Sequence, residues 1–293
     1  MQSVVRSDAL LSPADDRDYA ITAAVDISTD EIPEEYEVWQ PPTIENQQAG
    51  NCVAQVLANI MECIDHQRNG GHRDYSVGYI YGTPLNTAEG SGMYPREAVK
   101  ALHKEGDVLR SIWECDDENP LCREKRGNLP QEIHDLAKRV KGYVRLNNKE
   151  EIQRYMLRYK LPVLVSSVAS SFGSWGGGYH AVAVYGWVTK ETCRRDYSYI
   201  EDRDLRYTNS WGSWNPKGLI GSNMLIEMWG VIPMEEFKPT DIAGHWCEKD
   251  AMYLINKGII NGYEDGTVRP DNPITRAEVF ALMARALRGG EQK

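Results

Sequence analysis

The sequence predicts an α+β protein: a helix-rich stretch, then a β-rich stretch, then a small helix–loop–helix unit. Three observations carry this expectation. Val53, Val56, Leu57, Ile60, Met61 and Ile64 recur three and four residues apart, the pattern of one buried helix face. From Pro162 the texture changes to short β-prone runs. After Pro233 it changes again, to a linker and a turn-rich segment between two helical runs.

In chain order, residues 1–36 are polar and acidic, too short for a long helical pro-region, and are taken as a strap that packs on the domain or a short pro-segment. The loop Gln47-Gln48-Ala49-Gly50-Asn51 then turns into the helix that begins at Cys52. Further helices are expected over Pro95–Lys104 and Pro130–Lys141, with proline suited to each first turn. Strands are expected over Pro162–Val168, His180–Val188, Tyr197–Trp211 and Leu225–Ile232. Gly176-Gly177-Gly178 marks a flexible loop before the second of them. Phe237 to Asp241 reads as a linker, and His245–Lys257 as a helix closed by Gly258. Thr275 and Glu278 form a capping box for the last helix, with Ile274 and Val279 as its hydrophobic staple.

Composition bounds the function. At 293 residues the chain holds one large and one small domain. A formal net charge of −10 argues against nonspecific nucleic-acid binding, which needs basic patches. No apolar run reaches the ~18 residues of a membrane span. The segment from Met1 to Asp8 lacks the apolar core of a secretory signal. That leaves three routes open: a signal already removed, another way out of the cell, or retention inside. Cys115 and Cys122 could staple a loop, while Cys63, Cys193 and Cys247 are scattered. A zinc site wants two closely spaced Cys/His pairs brought together, and the sequence is not read as one; no metal and no cofactor are expected.

A thiol at a helix start faces unsatisfied N–H groups and a partial positive charge, which favour thiolate. The bland reading of a lone Cys52 is still a buried cysteine. What weighs against it is downstream: His180 at the head of an apolar strand, and Asn209 before Trp211 at the end of another. A wide Cys…His…Asn order suits a nucleophile, a base and an orienting amide that meet only in the fold.

These residues resemble the papain-like cysteine peptidases, especially the bacterial branch with a minimal N-terminal region. The resemblance rests on Asn46-Gln47 with Gly50-Asn51-Cys52, on Gly92-Met93-Tyr94-Pro95, on Gly178 to Val184, and on Asn209 to Trp214. It covers residues 36 to 235 and implies a two-lobe fold, helical and β-barrel-like, with the active site in the cleft between lobes. It implies Cys52 as nucleophile, His180 as base and later acid, Asn209 as the orienting group and Trp211 as its shield. The oxyanion donor would be Gln47, with Asn46 as the competing choice, because the loop is one residue shorter than the family's. Gly92 and Met93 would pair with the substrate backbone. Ala49 stands where the family has a further cysteine, and Arg17-Asp18-Tyr19 matches a motif of the minimal members.

The last segment resembles a surface-layer homology (SLH) module. Its marks are Asp241-Ile242-Ala243-Gly244-His245-Trp246, Gly258-Ile259-Ile260-Asn261-Gly262, and Thr275-Arg276-Ala277-Glu278. Such modules usually bind cell-wall polysaccharide, for which Arg276 and Asp241 are the candidate contacts; helix-end electrostatics is the alternative role for both. They commonly occur in threes, and the single copy here leaves open trimerisation between chains, weak binding, or a remnant. The expected division is 1–36, 37–235 and 236–293. The expected function is a cysteine endopeptidase acting on protein or peptide substrates at a bacterial surface. The alternatives are a peptidoglycan stem-peptide hydrolase and a non-catalytic wall-binding protein.

Overall fold

The helix expected at Cys52 is α1, Cys52–Asn69, and it runs past the apolar stripe to a double glycine. Gly70 and Gly71 adopt φ of 64° and 71°, a left-handed geometry that suits glycine and stops the helix. The computed structural model describes residues 9–13, 31–43, 45–173, 177–196, 203–213, 215–234, 237–256, 259–263 and 265–287. Arg17-Asp18-Tyr19, Gly176, residues 197–202, Trp214 and Gly258 lie outside the described residues.

Around α1 pack α2 (Val77–Tyr81) and α3 (Pro95–Lys104), with Pro95 in the first turn as expected. Next comes α4 (Asn119–Gly127), which packs on α2 and is preceded by a loop that a Cys115–Cys122 disulfide closes. Two glycines allow this loop to approach α2. A Cβ on Gly78 would lie 2.5 Å from the Cys115 backbone, and one on Gly82 would lie 2.7 Å from the Cys122 carbonyl oxygen.

The helix expected over Pro130–Lys141 is corrected to a short α5, Gln131–Asp135. Tertiary pairing overrides local propensity there: Asp107 and Lys138 exchange both backbone bonds, at 2.9 and 2.7 Å. Lys138 therefore cannot offer its N–H to a helical turn.

The β part is one antiparallel sheet. Its strands are β1 (Tyr36–Glu37), β2 (Gly142–Leu146), β3 (Val163–Val168), β4 (Tyr179–Trp187), β5 (Leu205–Thr208), β6 (Lys217–Ile220) and β7 (Glu227–Ile232). They run in the order β2-β7-β3-β4-β5-β6, with β1 on β4. Strand β2 lies in the stretch the sequence reads as helical, and α6 (Lys149–Tyr159) follows it. The strand expected over Tyr197–Trp211 is shorter among the described residues, and α7 (Lys190–Asp196) precedes it. Strand β4 is buried from His180 to Trp187, with α1 against it, which explains its continuous apolar texture.

One contact locks β7. The buried Tyr155 hydroxyl donates to Val231 O at 2.7 Å and accepts from Val231 N at 3.1 Å. Gly230 makes room for the ring, since a Cβ there would come within 2.4 Å of it.

The C-terminal unit has α8 (Glu248–Asn256) and α9 (Arg276–Leu287). The capping box forms: Thr275 N and Oγ1 both donate to Glu278 at 2.7 Å, and Glu278 N donates back at 3.2 Å. Ile274 is more than half exposed. Between the helices, the Asp241 carboxylate accepts from Val268 N at 3.0 Å and from Arg269 N at 2.7 Å, which pins the turn. Among the described residues no helix is long and apolar enough to cross a membrane.

Candidate active site

The site assembles where the loop before α1 is stitched to the segment after β5. Gln47 N donates to Ser210 O, and Gly212 N donates to Glu45 O, both at 2.8 Å. Cys52 is the first residue of α1 and has no solvent exposure. With α1 lying against β4, the helix start that holds Cys52 and the strand that opens on Tyr179-His180 belong to one packed core.

His180 is fully buried, and its Nε2 lies 2.8 Å from Asn209 Oδ1. Ser210 N also donates to that oxygen, at 2.8 Å. An amide oxygen only accepts, so the neutral imidazole carries its proton on Nε2. Nδ1 is thereby left as the basic nitrogen, buried and without a hydrogen-bond partner among the described residues. Trp211 stacks on the imidazole at 4.2 Å and 24°, and Phe172 meets it edge-on at 5.5 Å. This apolar cover pushes the His180 pKa down to about 4; the Asn209 bond acts in the opposite direction.

The two oxyanion candidates differ in placement. Gln47 is buried, with its Oε1 accepting from Ser210 Oγ at 2.6 Å and its Nε2 donating to Ala49 O at 3.1 Å. Asn46 is exposed and pairs through its backbone with Trp211. Met93 is buried, and its carbonyl accepts from Leu10 N at 3.1 Å. Ala9 N donates to Tyr179 O at 3.0 Å, so residues 9–10 run between the Gly92-Met93 segment and the head of β4. Ser12 continues this anchoring, with its N–H on Glu227 at 2.9 Å and its Oγ accepting from Arg96 N at 3.1 Å.

Arg276 and Asp241 lie in the C-terminal unit: Arg276 opens α9, and Asp241 holds the 268–269 backbone. Sequence reasoning did not find Phe172 or Ser210 as neighbours of the site. Ser210 sits inside the quoted motif, whereas nothing in Ala169-Ser170-Ser171-Phe172 signals its ring contact. Glu62, His72 and Asp74 bring potential ligand atoms within 4.8 Å of one another, but His72 already pairs with both carboxylates at 3.2 and 3.3 Å. Of that trio Glu62 lies past the middle of α1, and His72 and Asp74 follow its end, away from Cys52.

Known proteins are similar to the two parts separately. Residues 240–280 match the S-layer homology domain family. Over 50 residues the chain is 50% identical to the Cellulosome-anchoring protein of Acetivibrio thermocellus, covering 17% of this chain and 11% of that protein. Over 45 residues it is 42% identical to S-layer protein EA1 of Bacillus anthracis, covering 15% of this chain and 5% of that protein. The chain spans between 3% and 11% of the length of the curated relatives it matches. Among solved structures, Xylellain, a cysteine protease from Xylella fastidiosa, superposes with a TM-score of 0.60 at 18% identity, over 79% of this chain and 99% of that one. Procathepsin L2 proteinase from Tenebrio molitor larval midgut gives 0.56 at 18% identity, over 78% of each chain. The cysteine protease and lectin-like domains of Cwp84, a surface layer associated protein of Clostridium difficile, give 0.50 at 17% identity, over 72% of this chain and 54% of that one. The chain therefore has the fold of the papain-like cysteine proteases, followed by an S-layer homology domain.

Proposed function

We propose that this protein is a cysteine endopeptidase that works through Cys52, His180 and Asn209 and is held at a bacterial surface by its C-terminal module. The observation that carries the reading is the buried 2.8 Å contact between His180 Nε2 and Asn209 Oδ1 under Trp211, which leaves Nδ1 as the base. Nδ1 takes the Cys52 proton, and the thiolate at the helix N-terminus attacks the peptide carbonyl carbon. The negative charge that develops on the carbonyl oxygen is held by the Cys52 N–H and the Gln47 side-chain amide. His180 returns the proton to the leaving amine; water then attacks the thioester, and the carboxylate product and free thiol separate. Gln47 suits the donor role better than Asn46 because it is buried and pinned beside Ser210.

Peptide substrate would lie along Gly92 and Met93, the track that residues 9–10 occupy. Because residues 9–10 bond along that track, the strap restrains the cleft and must leave for substrate to enter. The module would bind cell-wall polysaccharide through Arg276, with Asp241 shaping the neighbouring turn. Apolar side chains also stand open on the module, Trp246 at 85% and Leu287 at 84% exposure, together with Phe280 and Met283 on α9. Phe280, Met283 and Leu287 recur three and four apart on α9, and such a helix face favours association of modules from three chains, which sedimentation velocity would read as a trimer that Leu287→Glu disperses.

The deciding experiment is an epoxide affinity label directed at papain-type thiols, run beside a peptide-library digest. It should add once to the wild type and not to Cys52→Ala. Absence of both labelling and cleavage would favour a non-catalytic wall protein. The module also favours a second reading, a peptidase acting on peptidoglycan stem peptides. Release of fragments from purified sacculi with casein left intact would select it. For the anchor, co-sedimentation with wall polymer should disappear when residues 237–293 are removed.

A further inference from the structure

Ala49 carries no thiol, and the loop before Cys52 is held to the helical part of the protein by another device. Gly50 N donates to Glu118 Oε2 at 3.3 Å. The Tyr81 hydroxyl donates to the same oxygen, also at 3.3 Å. Tyr81 Oη in turn accepts from Gly92 N at 3.1 Å and from the Asn119 backbone N–H. One carboxylate oxygen is thus shared by the nucleophile loop and, through one phenol, by the segment proposed to pair with substrate.

The relay is built rather than incidental. Tyr81 is fully buried, and burial pushes its phenol pKa up, so it remains a donor toward Glu118 across the working pH range. Glu118 caps α4, where its carbonyl accepts from Leu121 N and Cys122 N, both at 3.1 Å. It lies inside the Cys115–Cys122 loop, which is closed covalently and seated on Gly78 and Gly82 of α2. The far end is clamped as well: Asn86 Nδ2 donates to both Tyr81 O, at 3.0 Å, and Gly92 O, at 3.3 Å.

We infer that Glu118 is a positioning residue that, with Tyr81 as its extension, sets the nucleophile loop and the substrate-pairing segment in one register. This rests on the endopeptidase reading above. A carboxylate acceptor is stronger than a neutral one, and a group that orients the oxyanion loop acts on kcat, whereas one that orients the Gly92-Met93 segment acts on substrate affinity. The two effects are separable because Tyr81 reaches only the second.

The test uses the full chain and reads both activity and backbone protection. Glu118→Ala should lower kcat/KM by about tenfold or more, with kcat down and KM up. Glu118→Gln keeps a carbonyl acceptor and should recover to within about threefold of wild type. Tyr81→Phe keeps the ring and should raise KM by about threefold to tenfold while kcat stays within about twofold. Amide hydrogen exchange gives an arm that needs no turnover. Glu118→Ala should speed exchange in segments 47–52 and 90–94 together, and Tyr81→Phe only in the second. A folded Glu118→Ala protein with wild-type exchange in segment 47–52 overturns the inference. So does a Tyr81→Phe protein that loses kcat as Glu118→Ala does. Cys52→Ala separates the two claims: hydrolysis that survives it sinks the endopeptidase reading, while the exchange results still decide the role of Glu118.

Discussion

Removing the Cys52 thiol should reveal how strongly the site opposes charge on His180. In Cys52→Ala no thiolate can stabilise an imidazolium, so burial under Trp211 and Phe172 sets the titration, against the single Asn209 bond. The pKa in that variant should then be found at about 4, against 6.5 for the ordinary imidazole. A folded-state pKa below the unfolded one means that the folded protein resists the proton. The neutral form's contribution is therefore complete above pH 6.5 and is withdrawn as the pH falls from 6.5 to about 4. At about 1.4 kcal/mol per pH unit, that withdrawal costs about 3 kcal/mol of folding stability. Histidine ring NMR of Cys52→Ala gives the pKa directly, and urea unfolding at several pH values gives the stability. The share of the pH dependence that belongs to His180 should be missing from Cys52→Ala/His180→Gln, read as the difference between the two variants. Asn209→Ala, which removes the one influence raising the pKa, should move it further down. A His180 that titrates at or above 6.5 in Cys52→Ala would refute the tautomer and burial argument together.

Three other outcomes follow from particular contacts. Gly230→Ala forces a methyl into the Tyr155 ring and should cost about 1–3 kcal/mol, read as a lowered Tm; an unchanged Tm would show that β7 yields easily. Deleting residues 2–30 removes the Ala9 and Leu10 backbone bonds, worth about 1 kcal/mol each, and should raise kcat/KM roughly tenfold to thirtyfold. Unchanged activity would end the idea of a restraining strap. Thr275→Ala breaks the capping box and should destabilise α9 by about 1 kcal/mol, visible as faster amide exchange over residues 276–287.

The legible parts of the chain were those where local and tertiary preferences agree. The start of α1 at Cys52, the whole of α3 and the capping box at Thr275 follow from spacing, proline placement and side-chain chemistry. Strands β3 and β4 could be read because both are buried and apolar. The resemblance implies the pairing of His180 with Asn209, whereas the geometry that fixes the tautomer also involves a second donor, Ser210 N. Strand β2 is not legible because Gly142-Tyr143-Val144-Arg145-Leu146 is short, and its partner β7 lies far along the chain. The Pro130–Lys141 helix failed for a related reason: the bond that redirects Lys138 belongs to Asp107, outside any local window. Glu118 was invisible as a neighbour of Gly50 because nothing in a sequence says which backbone N–H a surface-loop carboxylate will reach.

Strand β7 lies between β2 and β3, so Leu146 pairs with Met228 and Leu164 with Trp229. Chains emerge from the ribosome N-terminus first, and long-range pairings of this kind form late and slowly. The helix bearing Cys52 is therefore made well before the strand that joins β2 to the rest of the sheet. A chain interrupted before Glu227 would carry the thiol but lack the strand that completes its sheet. Residues 240–280 follow that strand, so any chain presenting the module already contains every strand of the sheet.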